Sequence, residues 1–160
     1  MLKLIVATSS NDVIGIDGTL PWSCKADLQY FKEKTSNSVV IMGRTTWESL
    51  PKRPLPNRIN VVVTSNTTLI PGAPVCNSLE EAVKQFPDAW IIGGASIYKQ
   101  CISLVGEIYK TIIDKPIYGN NCVKFPKIPM DLFTLIYRYS AGYQEDCKCN
   151  VIFEKFSKLL

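Results

Sequence analysis

The stretch Ala89-Trp90-Ile91-Ile92-Gly93-Gly94-Ala95-Ser96-Ile97-Tyr98 decides the fold. A short apolar run enters a pair of glycines, and helix-compatible sequence follows. This predicts a buried strand, a tight turn and a helix ending near Leu104. The same grammar occurs earlier. Val39-Val40-Ile41-Met42 is a second buried strand, and Gly43-Arg44-Thr45-Thr46-Trp47-Glu48-Ser49-Leu50 is a turn into a short helix. Working outward, Leu2–Ala7, Ile59–Thr64 and Glu107–Ile113 read as further strands. Ser78-Leu79-Glu80-Glu81 is a capping box that opens a helix to about Phe86. Ser23 is placed to cap a helix over about 25–35. Residues 8–22 read as one long loop with Gly15, Gly18 and Pro21. Pro51, Pro54 and Pro56 forbid regular structure between the second and third strands. Residues 131–140 and 149–156 alternate as an antiparallel pair. Strands alternating with helices and followed by a terminal hairpin define an α/β fold. It has a mostly parallel central sheet, an antiparallel C-terminal edge and flanking helices.

The 160 residues suit a single domain, 1–160, with no linker or internal repeat. A chain of this size buries roughly 70% of its unfolded surface, enough for a core without staples. Apolar residues make up 46% and charged residues 20%, a globular composition. The net charge of +4 is spread along the chain, with no basic run of the kind that marks nucleic-acid binding. A mild positive balance suits a small anionic ligand. The first residues turn polar at Thr8-Ser9-Ser10-Asn11, too early for a signal peptide. No apolar stretch is long enough to span a membrane, so a cytoplasmic location is expected. Cysteines stand at 24, 76, 101, 122, 147 and 149. Only Cys147-Lys148-Cys149 is a close pair, and there is no histidine, so reduced structural thiols and no metal are expected.

Asp27 follows Trp22-Ser23-Cys24-Lys25-Ala26 on a short amphipathic segment, and Phe31 shares its helical face. Desolvation there would raise the carboxyl's pKa and fit it for proton chemistry near neutrality. The bland alternative is an acid placed to favour the helix dipole. Gly93-Gly94 lets a ligand approach the backbone at a helix start, although two adjacent glycines also make an ordinary turn. Gly43-Arg44-Thr45-Thr46 repeats that arrangement with a cation and two hydroxyls, a composition that suits phosphate. Both lie at the C-terminal ends of strands, where open α/β sheets bind ligands. Arg53 and Arg58 flank Pro54-Leu55-Pro56, a stiff loop able to aim a guanidinium at a carboxylate.

Taken together these segments resemble the dihydrofolate reductase family over nearly the whole chain. The resemblance rests on Ile14-Gly15 through Gly18, Leu20-Pro21-Trp22, Asp27-Leu28 with Phe31-Lys32, and Val40-Ile41-Met42-Gly43-Arg44 with Thr46-Trp47-Glu48-Ser49. It continues through Arg53-Pro54-Leu55-Pro56 with Arg58, Ile91-Ile92-Gly93-Gly94 with Ile97-Tyr98, and Thr111 before Asp114. The resemblance implies a dihydrofolate-reductase-like fold and hydride transfer from NADPH to C6 of 7,8-dihydrofolate, with a proton added at N5. Such a reaction supports one-carbon metabolism and thymidylate synthesis, and makes such enzymes antifolate targets. The implied partners are small molecules, not nucleic acid or membrane, and the implied state is a monomer.

It further implies roles for particular residues. Asp27 would pair with the pterin's donor edge, Thr111 would hold Asp27, and Trp22 would anchor an ordered water. Leu20 belongs to the same catalytic group. Ile5, Ala7, Leu28, Phe31, Lys32, Leu50, Arg53, Leu55, Ile92 and Tyr98 would line the substrate site, and Arg58 would grip the α-carboxylate of the glutamate tail. NADPH would lie against Ala7, Ile14, Gly15, Gly18, Thr19 and Leu20. Its pyrophosphate would meet Gly43, Arg44, Thr45 and Thr46 on one side and Ile92, Gly93, Gly94, Ala95, Ser96, Ile97 and Tyr98 on the other. Arg44 with Thr64 and Ser65 would bind the 2′-phosphate, and Asn77 also falls in the cofactor set. In this family the Gly-Gly bond is often cis.

Several positions depart from the family's pattern. Leu20 stands where bacterial members often have Met, Thr45 where His is frequent, and Ser96 where a basic residue is common. Residues 117–125 lack the family's Gly-Asp pairing with the mobile loop, and Asn120 or Asn121 offers an amide instead. Cys24 is a further departure and a thiol handle near the site. Two other readings compete. One is an NADPH-dependent pyrimidine reductase of riboflavin synthesis, which need not keep Trp22, Asp27 and Arg58 together. The other is a folate- or nucleotide-binding structural protein without catalysis.

Overall fold

A computed structural model of the chain describes residues 1–16, 22–66 and 69–160. Gly18, Thr19, Leu20 and Pro21 lie outside them. The elements run β1 (Lys3–Ser9), β2 (Val13–Ile16), α1 (Lys25–Thr35), β3 (Val39–Gly43), α2 (Arg44–Ser49), β4 (Ile59–Val63) and β5 (Val75–Cys76). Then follow α3 (Leu79–Gln85), β6 (Trp90–Ile91), α4 (Ala95–Cys101), β7 (Glu107–Ile113), β8 (Cys122–Lys124), β9 (Phe133–Gln144) and β10 (Cys149–Lys158). Among the described residues one sheet has the strand order β5-β4-β3-β6-β1-β7-β10-β9. The strands from β5 to β7 are parallel neighbours, and β10 and β9 add antiparallel pairings at the edge.

The strand alternation sorts side chains into two cores. Leu4, Val6, Ile41, Val61, Ile91 and Ile108 face α3 and α4. Ile5, Val40, Met42, Val62, Ile92, Tyr109 and Ile113 face α1 and α2. Both sides of each central strand are buried, which is why these strands read as unbroken apolar runs.

Local signals fix most element ends. The Ser78 hydroxyl accepts from Glu81 N at 3.1 Å, as a capping box requires. The reciprocal bond shifts by one residue, with Asn77 N donating to Glu81 Oε2 at 3.1 Å. Ser23 does not cap α1. The N-cap is Cys24, whose side chain makes no capping bond. Asp146, from the turn between β9 and β10, accepts from Lys25 N at 2.7 Å instead. A carboxylate at a helix N-terminus is favoured by the free N–H groups and the dipole, whichever part of the chain supplies it.

The loop expected over 8–22 holds regular structure. β1 continues to Ser9, and β2 pairs antiparallel with β8. Asn11 ties the two segments through both its amide groups. Its Nδ2 donates to Ile117 O at 2.8 Å and its Oδ1 accepts from Ile117 N at 2.9 Å. Lys110 Nζ meets Asp12 Oδ1 at 2.9 Å beside them. A Cβ on Gly119 would sit 2.6 Å from Ile16 Cδ1, so a side chain there would push the end of Ile16 aside.

Candidate active site

Two regions meet along the C-terminal ends of the parallel strands. The first is an acid pocket on the α1 face. β1 contributes Ile5 and Ala7, and β7 contributes Thr111, which lies in register with Ala7. α1 contributes Asp27 and Phe31. Trp22, Phe31, Leu50 and Leu55 are partly buried against the core that holds Ile5 and Ile92. Leu28 and Lys32 are not brought into this cluster; Leu28 is 59% exposed and Lys32 also faces outward.

Asp27 is half-buried, and desolvation pushes its carboxyl from 3.8 up to about 6. Thr111 opposes that shift, so its hydroxyl lies close to the carboxylate. Yet the fully buried Thr111 Oγ1 has no hydrogen-bond partner among the described residues. A buried hydroxyl with spare bonding capacity beside an acid marks a place built for a polar ligand. Tyr98 reaches across from α4, and its hydroxyl donates to Ile5 O at 2.8 Å. Burial, then the charge of Asp27, raises its pKa, which keeps it a neutral donor.

Arg58 is held at the mouth of this pocket. Its Nε donates to Pro56 O at 2.9 Å and its Nη1 to Thr35 Oγ1 at 3.0 Å. Its guanidinium also lies 5.7 Å from the Phe31 ring centre. A guanidinium fixed on one side keeps its remaining donors aimed outward, the requirement for a bidentate grip on a carboxylate. Two supports here escaped the sequence reading. Thr35 is fully buried and also donates to Phe31 O at 2.8 Å. Asn60 is buried in β4 and clamps the proline loop, accepting from Leu55 N at 2.9 Å and donating to Leu55 O at 3.0 Å. An amide inside the run Ile59-Asn60-Val61-Val62-Val63 was the signal that could have found it. Arg53 is exposed and lies 5.9 Å from the Trp47 ring centre.

The second region is a glycine cradle. β3 and β6 run side by side, so α2 and α4 start next to each other. Gly43 N donates to Gly93 O at 2.8 Å across the junction. The Gly93–Gly94 peptide is cis, as the resemblance implied, and Gly93 has φ +124°. A Cβ on Gly94 would lie 3.2 Å from Thr46 Oγ1, and one on Gly93 would lie 3.3 Å from the Tyr98 hydroxyl oxygen. Arg44 Nε pairs with Glu48 Oε1 at 2.8 Å, while its buried Nη1 has no partner among the described residues. Ala95, Ser96 and Ile97 open α4 above the cradle, and Thr45 and Thr46 open α2. Thr64 and Ser65 follow β4, and Asn77 follows β5, on the same rim. Ile14 packs against the opposite core, with α3 and α4, and Gly15 pairs with Val123 in the small sheet. The expectations for Gly18, Thr19 and Leu20 fall outside the described residues.

Fold and site together define an α/β protein with a mostly parallel sheet, two adjacent glycine-led helix starts and a desolvated acid. The dihydrofolate reductase family profile matches residues 1–158. A dihydrofolate reductase of Buchnera aphidicola subsp. Acyrthosiphon pisum is 42% identical over 122 residues, 74% of this chain and 76% of that protein. A type 3 dihydrofolate reductase of Salmonella typhimurium is 40% identical over 75% of this chain and 76% of its own length. A solved dihydrofolate reductase of Enterococcus faecalis, complexed with NADP(H) and RAB-propyl, superposes with a TM-score of 0.89 at 31% identity. That superposition covers 99% of this chain and 96% of that one. The chain belongs to the dihydrofolate reductase family. Among the described residues no helix is long and apolar enough to cross a membrane.

Proposed function

We propose that this chain, as a single domain over 1–160, reduces 7,8-dihydrofolate to 5,6,7,8-tetrahydrofolate with NADPH. It acts as a cytoplasmic monomer that binds small molecules and neither nucleic acid nor membrane. The observation that carries this reading is the half-buried Asp27 carboxyl beside the unpartnered Thr111 hydroxyl.

The pterin is flat, largely apolar and edged on one side by amidine-like donors. Ile5, Ala7, Phe31, Leu50, Leu55 and Ile92 supply apolar walls, and Asp27 accepts from the donor edge. Ionised Asp27 orients the ring and raises the basicity of N5, and a water near Trp22 delivers the proton. With substrate bound, the Thr111 hydroxyl, which has no hydrogen-bond partner among the described residues, would turn to donate to the carboxylate and leave the second carboxylate oxygen for the ligand. Arg58 takes the α-carboxylate of the glutamate tail, because Thr35 and Pro56 already fix its other side.

NADPH fits the cradle on two grounds: the unpartnered buried Arg44 Nη1, and glycines whose missing side chains leave the backbone open at two helix starts. When bound, NADPH supplies the hydride that reaches C6. Arg44, Thr64 and Ser65 would hold its 2′-phosphate, and Thr45, Thr46 and Gly93 through Ile97 its pyrophosphate.

The direct test is NADPH oxidation by the purified, folded chain with dihydrofolate as acceptor. Turnover with dihydrofolate but not with an aminopyrimidine precursor of riboflavin is expected. Absence of turnover with dihydrofolate would overturn the reading.

A further inference from the structure

The cysteines divide by position. Cys76 and Cys101 are buried and Cys122 is half-buried, all away from the N-terminal end of α1. Cys24 and Cys147 converge with Asp146 where α1 begins and the turn between β9 and β10 ends, and Cys149 adjoins Cys147. Cys24 Sγ, Cys147 Sγ and a carboxylate oxygen of Asp146 lie within 4.8 Å of one another. Cys149 Sγ lies 3.5 Å from Cys147 Sγ. In sequence the Cys147-Lys148-Cys149 pair stands alone; the fold brings Cys24 to it from the first quarter of the chain.

A tetrahedral zinc ion with metal–sulfur bonds of ~2.3 Å sets neighbouring sulfurs about 3.8 Å apart. The Cys147–Cys149 separation already approximates that edge, Cys24, Cys147 and Asp146 reach it by shifts of about 1 Å, and Cys149 completes the set by turning in from its contact with Cys147. We infer that this cluster is a site for one thiophilic cation of the Zn2+ class, ligated by Cys24, Cys147, Cys149 and Asp146.

The chemistry of the donors supports that choice. Thiolates select Zn2+, Cd2+ and Cu+ over Mg2+ and Ca2+. Asp146 is already oriented, its Oδ2 accepting from Lys25 N at 2.7 Å and its Oδ1 from Cys147 N at 2.9 Å. Each oxygen retains a lone pair for a metal. Asp146 is exposed while the three thiols are buried, so the carboxylate lies on the entry side. A cation stands at the cluster: Lys115, whose Nζ donates to the Cys147 backbone carbonyl at 2.9 Å. On binding, three S–H bonds give way to three sulfur–metal bonds and three protons pass to solvent. No atom changes oxidation state.

The test uses the full chain, reduced with a phosphine, and Cd2+ as the probe. The ultraviolet thiolate-to-cadmium band should saturate at one equivalent with proton release, should be displaced by Zn2+ and should ignore excess Mg2+. Cys24→Ser and Cys147→Ser should each weaken binding by more than the roughly 10–100-fold typical of losing an outer partner. Cys122→Ser should bind as the parent does. Circular dichroism establishes that each variant is folded, and Asp146→Asn, which keeps every thiol, should still weaken binding measurably. No saturable band by ten equivalents would overturn the inference. So would a band that survives Cys24→Ser and Cys147→Ser together, or one lost in Cys122→Ser.

Discussion

The acid pocket and the glycine cradle share one rim of the sheet but are made of different material. The cradle is mostly backbone: two strand ends, two glycine turns and two helix starts, joined by the Gly43 N to Gly93 O bond. Its one specialised side chain is Arg44. The pocket is mostly side chain, with Asp27, Thr111, Phe31 and Arg58 drawn from α1, β7 and the proline loop. A backbone site offers dipoles that any phosphate can use. A side-chain site offers one acid of adjusted pKa, which suits one ring and one proton transfer. Removing the pocket's acid should therefore damage chemistry and removing its arginine should damage substrate binding, whereas altering the cradle should damage cofactor binding and stability.

The largest expected effect is on Asp27. Asp27→Asn should lower kcat/KM at pH 7 by roughly 10²–10⁴, with partial recovery in acid, where substrate arrives already protonated. A pH–rate profile checks this, and a uniform loss at every pH would remove the protonation role and with it the contrast between the regions. Next is Arg58→Leu, expected to raise KM for dihydrofolate by roughly 10–100-fold while leaving a pterin without the glutamate tail nearly unaffected. Equal losses for both substrates would place Arg58 in the structural frame rather than the pocket.

A third effect concerns stability. Folding raises the Asp27 pKa from 3.8 to about 6, so the folded chain holds this proton more tightly than the unfolded one. That contribution is fully present below about pH 4 and is lost as pH rises through about 6. Above it, an ionised Asp27 costs on the order of 3 kcal/mol. Asp27→Asn should thus be the more stable protein at pH 7 and equal to the parent at pH 4, as read from urea midpoints. The smallest effect belongs to the cradle. Gly93→Ala places a Cβ at φ +124° and should cost about 1–2 kcal/mol while raising KM for NADPH. Loss of kcat with KM unchanged would contradict a binding role.

The same contrast explains what could be read from the sequence. The cradle was legible because strand, glycine and helix start are contiguous in the chain, and the ends of β7 fell where Glu107 and Ile113 predicted. β2 and β8 were not legible, since each is short and takes its strand geometry from a partner a hundred residues away. Ser23 looked like a cap because the rule considers neighbours, and Asp146 is not a neighbour. Thr35 and Asn60 look like ordinary polar residues until the fold buries them against Arg58 and the proline loop. Local sequence made Asp27 and Arg58 candidates, and only the resemblance weighed them above a dipole-favoured acid and a solvated arginine.

The bond from Lys25 N to Asp146 has a consequence for how the chain is made. During synthesis the helix bearing Asp27 leaves the ribosome long before the segment that closes its first turn. β7 likewise awaits β10, its antiparallel neighbour, so the floor beneath Thr111 is completed last. A chain released before Asp146 emerges therefore carries Asp27 on a helix whose first turn has not been closed and beside a β7 that has not met β10.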